Sequence, residues 1–296
     1  MGKISKKKAY AAIITGNTIF GFSFMASKIA MRYCQPEVFL GIRFLVSFVV
    51  LNLLILFKVG KLNLKGKNIL PLLAIGACQP VVYFWAESYG IKATSSSFAG
   101  MMIGIIPVVA YLLSVPINKE PFVPKKLLFA IVSVCGVALL SFSENAAGGV
   151  TAFGVICLCI AVLCGAMFNV LTRRYAEAFT PFERTYMMFG LAALVYVTFG
   201  FVKLEGKLDS LLPLVSNPMF LLALLYLSVL SSVIAFFCLN VAAGGLTSQQ
   251  TASFANLTAV ISVVAGVLIL KENFTIWHLI GIMLTLFGII KLNKAE

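Results

Sequence analysis

The sequence predicts an all-α polytopic membrane protein with ten transmembrane helices in two inverted five-helix repeats, and three observations carry that expectation. The first is composition. Of 296 residues, 61% are hydrophobic and 11% charged, with a mean hydropathy of +1.03, so one water-soluble core of this size cannot hide the apolar surface. The second is length, because apolar runs of about 20 residues, enough to cross a bilayer, recur along the chain. The third is duplication. Pro107, Val108, Lys119, Glu120 and Phe122 stand opposite Ala259, Val260, Lys271, Glu272 and Phe274 at a constant offset of 152. The same offset sets Gly136 opposite Gly288, and a slip of one residue sets Ala93–Ser95 opposite Leu246–Ser248.

The first half carries runs at Ala9–Met31, Val38–Val59, Ile69–Ile91, Ser96–Ile117 and Lys126–Ser143. The second carries them at Val150–Leu171, Tyr186–Val202, Met219–Ala243, Thr251–Leu270 and Ile276–Leu292. Residues 1–145 and 146–296 therefore read as two repeats of five spans each. Five is odd, so the second repeat enters the bilayer upside down, the arrangement of many secondary transporters. The stretches between spans are too short to fold as domains, which leaves any function among the helices.

The formal net charge of +13 is a matter of topology. With the N-terminus in the cytoplasm, one side collects sixteen basic residues: Lys3, Lys6, Lys7, Lys8, Lys58, Lys61, Lys65, Lys67, Lys119, Lys125, Lys126, Arg173, Arg174, Arg184, Lys291 and Lys294. The other side keeps five, Arg32, Lys92, Lys203, Lys207 and Lys271. This positive-inside bias places both termini in the cytoplasm and needs no nucleic acid as partner. The basic N-terminus ahead of an apolar run lacks a small-residue cleavage site, so it reads as an uncleaved first helix.

Little catalytic chemistry is on offer. The seven cysteines make no metal-ligand spacing with the single histidine, His278, and read as buried, unpaired small hydrophobes. His278 beside Trp277 reads as an interfacial anchor. There is no phosphate-binding Gly-rich loop with its Lys and Ser/Thr, and too few intramembrane carboxylates to pair with a nucleophile or metal. No enzyme activity and no cofactor are expected.

The polar groups retained inside the spans then become the candidates, since an Asp, Lys or Arg at a helix centre costs about 2.5 to 3.5 kcal/mol on the insertion scale. Gln79, Tyr83 and Glu87 recur every fourth residue and share a stripe of the third span. Their counterparts in the eighth are Ser232, Phe236 and Asn240. Asn17, Gly21, Phe24 and Lys28 share a face of the first span, echoed by Gly165, Phe168 and Asn169 in the sixth. Lys28, Arg43 and Glu87 lie at similar depth near the outer end, where charges of both signs would form a gate or anchor a zwitterion. Asn17, Lys28, Arg43, Gln79, Tyr83, Glu87, Asn169, Asn240 and Asn256 are the expected substrate-binding residues. Snorkelling of Lys28 to the headgroups and a structural role for Arg43 are the competing readings. Gly100 and Gly104, and Ala255 and Ala259, read as close helix packing. Pro107 is expected to interrupt the fourth span.

Phe20-Gly21 with Lys28, Gly41-Ile42-Arg43-Phe44, Tyr83-Phe84 through Glu87 to Ala93-Thr94-Ser95, Pro107-Val108, and the Lys-Glu then Gly that closes each half together resemble the EamA branch of the drug/metabolite transporter superfamily, over about residues 9 to 292. Phe20 stands where that family commonly has Trp, and Ala259 where a second Pro is usual. The resemblance implies that spans one to four and six to nine surround a central cavity, with spans five and ten as outer support. It also implies export or exchange of small metabolites, often amino acids, in a bacterial cytoplasmic membrane. The function expected is a secondary active carrier of a small polar or zwitterionic metabolite working by alternating access. A channel-like permease or a non-transporting scaffold is the alternative. Its partners are the lipid bilayer and a small-molecule substrate, with proton coupling through Glu87 and a homodimer left open.

Overall fold

The computed structural model describes residues 4–119, 122–146, 150–205, 207–272 and 274–294; Lys3 and Glu120 of the sequence reading lie outside them. Eight helices are long and apolar enough to cross a membrane: α1 Lys6–Ala30, α2 Pro36–Leu56, α3 Leu70–Lys92, α4 Ser96–Asn118, α6 Ala152–Arg174, α7 Pro181–Lys203, α8 Pro218–Ala243 and α9 Gln250–Leu268. Two further helices, α5 Pro124–Ala146 and α10 Ile276–Lys294, stand where the sequence places the fifth and tenth spans.

Helix starts follow local chemistry. The Ser5, Ser95 and Thr151 hydroxyls accept the backbone N–H three residues on, supplying one of the partners that a helix N-terminus lacks. Thr180 with Glu183, and Thr247 with Gln250, form complete capping boxes. Pro36, Pro181 and Pro218 occupy first-turn positions, where the absent N–H costs nothing.

The helix contacts are unchanged when each span is exchanged for the one five places later. Helix α1 packs on α8 and α9 as α6 packs on α3 and α4, α2 meets α8 as α7 meets α3, and α2–α7, α4–α9 and α5–α10 are each their own image. Backbone detail repeats as well. The only positive-φ residues other than glycine among those described are Lys58, Lys119, Glu205 and Lys271 (φ 50° to 59°). Lys58 and Glu205 each sit two residues beyond a corresponding helix, α2 or α7. Lys119 and Lys271 are offset mates. Left-handed backbone is disfavoured for side chains of this kind, so its recurrence at matched places marks turns that the repeat needs.

Glycines set the tightest contact. A Cβ on Gly136 would stand 2.7 Å from the Gly281 carbonyl oxygen, and one on Gly288 would stand 2.7 Å from that of Phe129. These offset mates let α5 and α10 approach backbone to backbone, as small residues do in membrane helix pairs. Gly100 makes room on α4 for the Ser262 side chain of α9. The outer surface is apolar, with Leu56, Phe57, Leu194 and Leu222 each about two-thirds exposed or more, as lipid-facing side chains must be.

Four helices depart from regularity, α9 by a one-residue break at Phe254. In α3 the turns widen over Ala77–Val82, and Gln79 has extended backbone (φ −145°, ψ 118°). Pro80 supplies the cause, since it has no N–H to donate and biases the preceding residue away from helix. Its repeat mate α8 widens over Tyr226–Ala235. Helix α4 breaks at Gly104 and Ile105, just ahead of Pro107, as the sequence leads one to expect.

Candidate functional site

The central cavity lies between α1, α3, α4, α6, α8 and α9 and has a volume of about 50 Å³. The irregular backbone of α3 opens onto it through Gln79. Five aromatic rings line it, Phe20, Phe24, Tyr83, Phe84 and Phe168, with polar groups from Asn17, Ser23, Gln79, Glu87, Asn169, Thr251 and Thr258. The rings are held from behind. Phe236 is fully buried and meets Phe20 (5.1 Å), Phe84 (5.9 Å), Phe168 (5.8 Å) and Phe189 (5.2 Å) at steep angles, the arrangement favoured by ring quadrupoles.

Five of the nine expected site residues meet here. Tyr83 Oη donates to Glu87 Oε1 at 2.9 Å. The second oxygen of Glu87 has no hydrogen bond among the described residues. Gln79 is buried to 93%, lines the cavity and makes no side-chain hydrogen bond among the described residues. Asn17 Nδ2 donates to Ile13 O (2.9 Å) and Asn169 Nδ2 to Gly165 O (2.8 Å), the same i to i−4 bond in repeat-related helices. Thr258 Oγ1 lies 3.0 Å from both Asn17 O and Oδ1, tying α9 to α1.

The other four stand elsewhere. Arg43 is fully buried. Its Nε and Nη2 donate to Ser232 Oγ (3.1 Å) and Ser231 Oγ (3.3 Å), and its Cζ lies 4.2 Å from the centroid of Phe84. The ring that faces the cavity thus has a cation packed against it. Asn240 bonds Thr185 Oγ1 and Phe236 O through its amide, while its backbone oxygen accepts from Arg184 Nη2 at 2.6 Å. Asn256 keeps a buried Oδ1 without a partner among the described residues, away from the cavity lining.

Lys28 pairs with Glu272 (3.2 Å) and donates to Thr94 O (3.3 Å). It does not join Arg43 and Glu87 in one cluster, as their shared depth suggests from sequence. Glu272 also accepts from Ser96 N (2.9 Å), Ser96 Oγ (2.8 Å), Ser97 N (3.0 Å) and Ser97 Oγ (2.5 Å). A carboxylate thus sits on the first turn of α4, where unpaired N–H groups and the helix dipole favour negative charge. Burial pushes its pKa up, but the Ser97 hydroxyl, the Ser96 amide and Lys28 outweigh that and hold it below the ordinary value of 4.5. This junction joins α1, α4 and the α9–α10 turn. Sequence reasoning saw Glu272 only as a mark of duplication. The signal was there, because Lys-Glu closes both halves, but its partners are 175 residues away.

Corrections elsewhere are small. His278 is nearly buried and accepts from Thr275 N through Nδ1 (3.1 Å) at the start of α10, so it organises a helix start. The cysteines are unpaired, but Cys135 and Cys159 are exposed on apolar helices. Among the described residues no His, Cys, Asp and Glu side chains gather as a metal ligand set.

Comparison with known proteins agrees with this geometry. The chain is 27% identical over 296 residues to the uncharacterized transporter YcxC of Bacillus subtilis (strain 168), spanning 99% of this chain and 95% of that one. It is 24% identical to the uncharacterized transporter YetK of the same organism, over 97% and 88%. An uncharacterized transporter of Archaeoglobus fulgidus is 21% identical over 92% and 94%. A solved crystal structure, 16% identical, superposes with a TM-score of 0.69 over 97% of this chain and 96% of that one, which shows the fold alone. Residues 7–142 and 152–293 each match the EamA-like transporter family, and the chain belongs to that family.

Proposed function

We propose that this transporter is a secondary active carrier that moves a small polar metabolite by alternating access. The single observation that carries the reading is the cavity, lined jointly by both halves, into which broken α3 delivers a buried amide without a partner among the described residues. Polar groups that a chain keeps inside lipid without internal partners call for a solute to pair with. Residues 1–145 and 146–296 act as the two moving units. Because each holds five spans, the axis relating them lies in the membrane plane, which is the geometry of alternating access. Both termini lie in the cytoplasm on the charge bias of the loops, and the Lys28–Glu272 junction then closes the outer end.

Asn17, Gln79, Tyr83, Glu87 and Asn169 contact the solute directly in this reading, Lys28, Arg43 and Asn240 hold the walls, and Asn256 stands apart from both. Glu87 is the one carboxylate lining the cavity among the described residues and therefore the group that would couple transport to protons.

The test is counterflow in proteoliposomes with a ligand found by thermal shift of the purified protein, since a ligand of the folded state raises its stability. Saturable uptake driven by preloaded unlabelled ligand is expected. Linear, non-saturating flux would mean a channel, and cysteines at Lys119 and Lys271 labelled from the same compartment would end the inverted arrangement.

A further inference from the structure

From the cavity described above, and resting on the carrier reading of it, we infer that the solute is an organic ammonium, a cation with no carboxylate of its own. Among the described residues the lining contains one charged residue, Glu87, and no lysine or arginine. The two cations that could have held a substrate carboxylate are committed elsewhere. Lys28 is bound by Glu272 and the Thr94 carbonyl, and Arg43 lies behind Phe84 with two serine hydroxyls on its nitrogens.

The remaining donors suit a carboxylate poorly. Asn17 and Asn169 each spend an amide N–H on a carbonyl of their own helix, which leaves Gln79, among the described residues, as the only amide in the lining with both N–H groups unused. An anion brought here would lose its hydration for one or two neutral hydrogen bonds, while facing Glu87 across the same cavity.

A cation finds the opposite. Tyr83 holds Oε1 of Glu87 and leaves Oε2 to meet an ammonium group. Five ring faces or edges surround the space, and aromatic walls around a carboxylate are how organic ammonium ions are recognised. Arg43 opposes a second cation, but the Phe84 ring lies between it and the cavity, whereas the contact with Glu87 is direct. The Gln79 carbonyl adds a neutral acceptor for an ammonium N–H.

The measurement is binding to the full-length protein in lipid nanodiscs by isothermal titration, with 2-phenylethylamine, phenylalanine and 3-phenylpropionate, which share a ring and differ in charge. Butylamine and tetraethylammonium extend the cation series in size. At least one of the three cations should bind at least tenfold more tightly than phenylalanine or 3-phenylpropionate. Glu87→Gln should weaken that cation at least tenfold. Tyr83→Phe, which removes only the hydroxyl on Glu87, should shift its affinity several-fold, and this keeps the test decisive if Glu87→Gln does not fold. Phenylalanine binding as tightly as the cations, unchanged affinity in both variants, or no heat from any of the three cations would overturn the inference. Counterflow separates it from the carrier reading. An ammonium ion that binds through Glu87 but never exchanges refutes the carrier alone, and saturable phenylalanine exchange with no ammonium exchange refutes the ammonium assignment alone.

Discussion

Removing the Glu272 carboxylate should open the far end of the molecule, and the structure sets the size of the effect. Four hydrogen bonds from Ser96 and Ser97 and the pair with Lys28 converge on two oxygens. Bonds to a charged acceptor are worth about 1.5 to 3 kcal/mol each, but a simple sum overstates the case because the carboxylate gives up water to make them. Side-chain exposure is 29% for Lys28 and 11% for Glu272, so the ion pair is partly screened and adds little. Glu272→Gln keeps one carbonyl oxygen for two donors and turns an amide toward the other two. A loss of roughly 3 kcal/mol follows, in line with breaking a partly buried pair. At 1.4 kcal/mol per decade that is about a hundredfold in the open-to-closed ratio.

The assay is labelling of a cysteine placed at Ser23, on the cavity wall, by an impermeant maleimide added outside, together with the thermal midpoint. Glu272→Gln should speed labelling by about two orders of magnitude and lower the midpoint. The pH dependence has a definite sign. The folded-state pKa of Glu272 is depressed, so its contribution is full above the ordinary value of 4.5 and is lost as pH falls through the lower folded value. Wild type and variant should therefore differ fully at pH 7 and converge below about pH 4.5. Equal labelling rates and midpoints at pH 7 would refute the junction as a closure.

Other perturbations have equally specific outcomes. Gly136→Val should drive α5 from α10, because even its Cβ meets the Thr285 Oγ1 at 2.5 Å and the Gly281 oxygen at 2.7 Å; a loss of about 2 kcal/mol or more, read as a lower thermal midpoint, is expected. Arg43→Lys should be nearly as damaging as Arg43→Ala, since an ammonium cannot reach both serines while lying flat on Phe84, and folded yield by size-exclusion chromatography reports it. Glu183→Ala should cost about 3 kcal/mol by chemical unfolding, because it takes the acceptor from the Thr180 N–H, the carboxylate half of the capping box, and leaves Lys67 and the Asn63 N–H without theirs. Glu87→Gln should abolish any pH dependence of counterflow, and unchanged dependence would remove coupling from Glu87.

What the sequence disclosed was set by the range of the interaction. Eight of the span lengths, the break before Pro107 and the placing of Asn17 and Asn169 on the cavity side of their helices follow from residues within a few positions of one another, and these appear in the structure. The offset of 152 announced Gly136 and Gly288 as equivalents, although only the structure shows each pressed on the other's helix. Charge partners were the weak point. Lys28 and Glu87 share a depth, and depth alone paired them, yet Lys28 points across the bundle to a glutamate 244 residues on. Nothing in the local pattern of either residue names the other. Arg43 was similarly misplaced as a cavity group, because its serine partners lie in α8, a helix that the period of α2 cannot identify.

The exchange symmetry of the helices also limits what the closed far end can mean. In a molecule built of two equivalent halves, any device at one end has a counterpart position at the other. Near the end of α6, Arg173 Nη1 donates to the Ala243 carbonyl at 3.2 Å, as Lys28 near the end of α1 donates to the Thr94 carbonyl. The counterpart of the Ser95-capped start of α4 is the Thr247-capped start of α9, where Ser248 Oγ accepts from Asn118 Nδ2 at 3.2 Å. A basic side chain at a helix end and a capped helix start thus recur at both ends. At the far end the Glu272 carboxylate gathers both into one junction, and a carrier cycle must supply that interaction energy each time the far end opens.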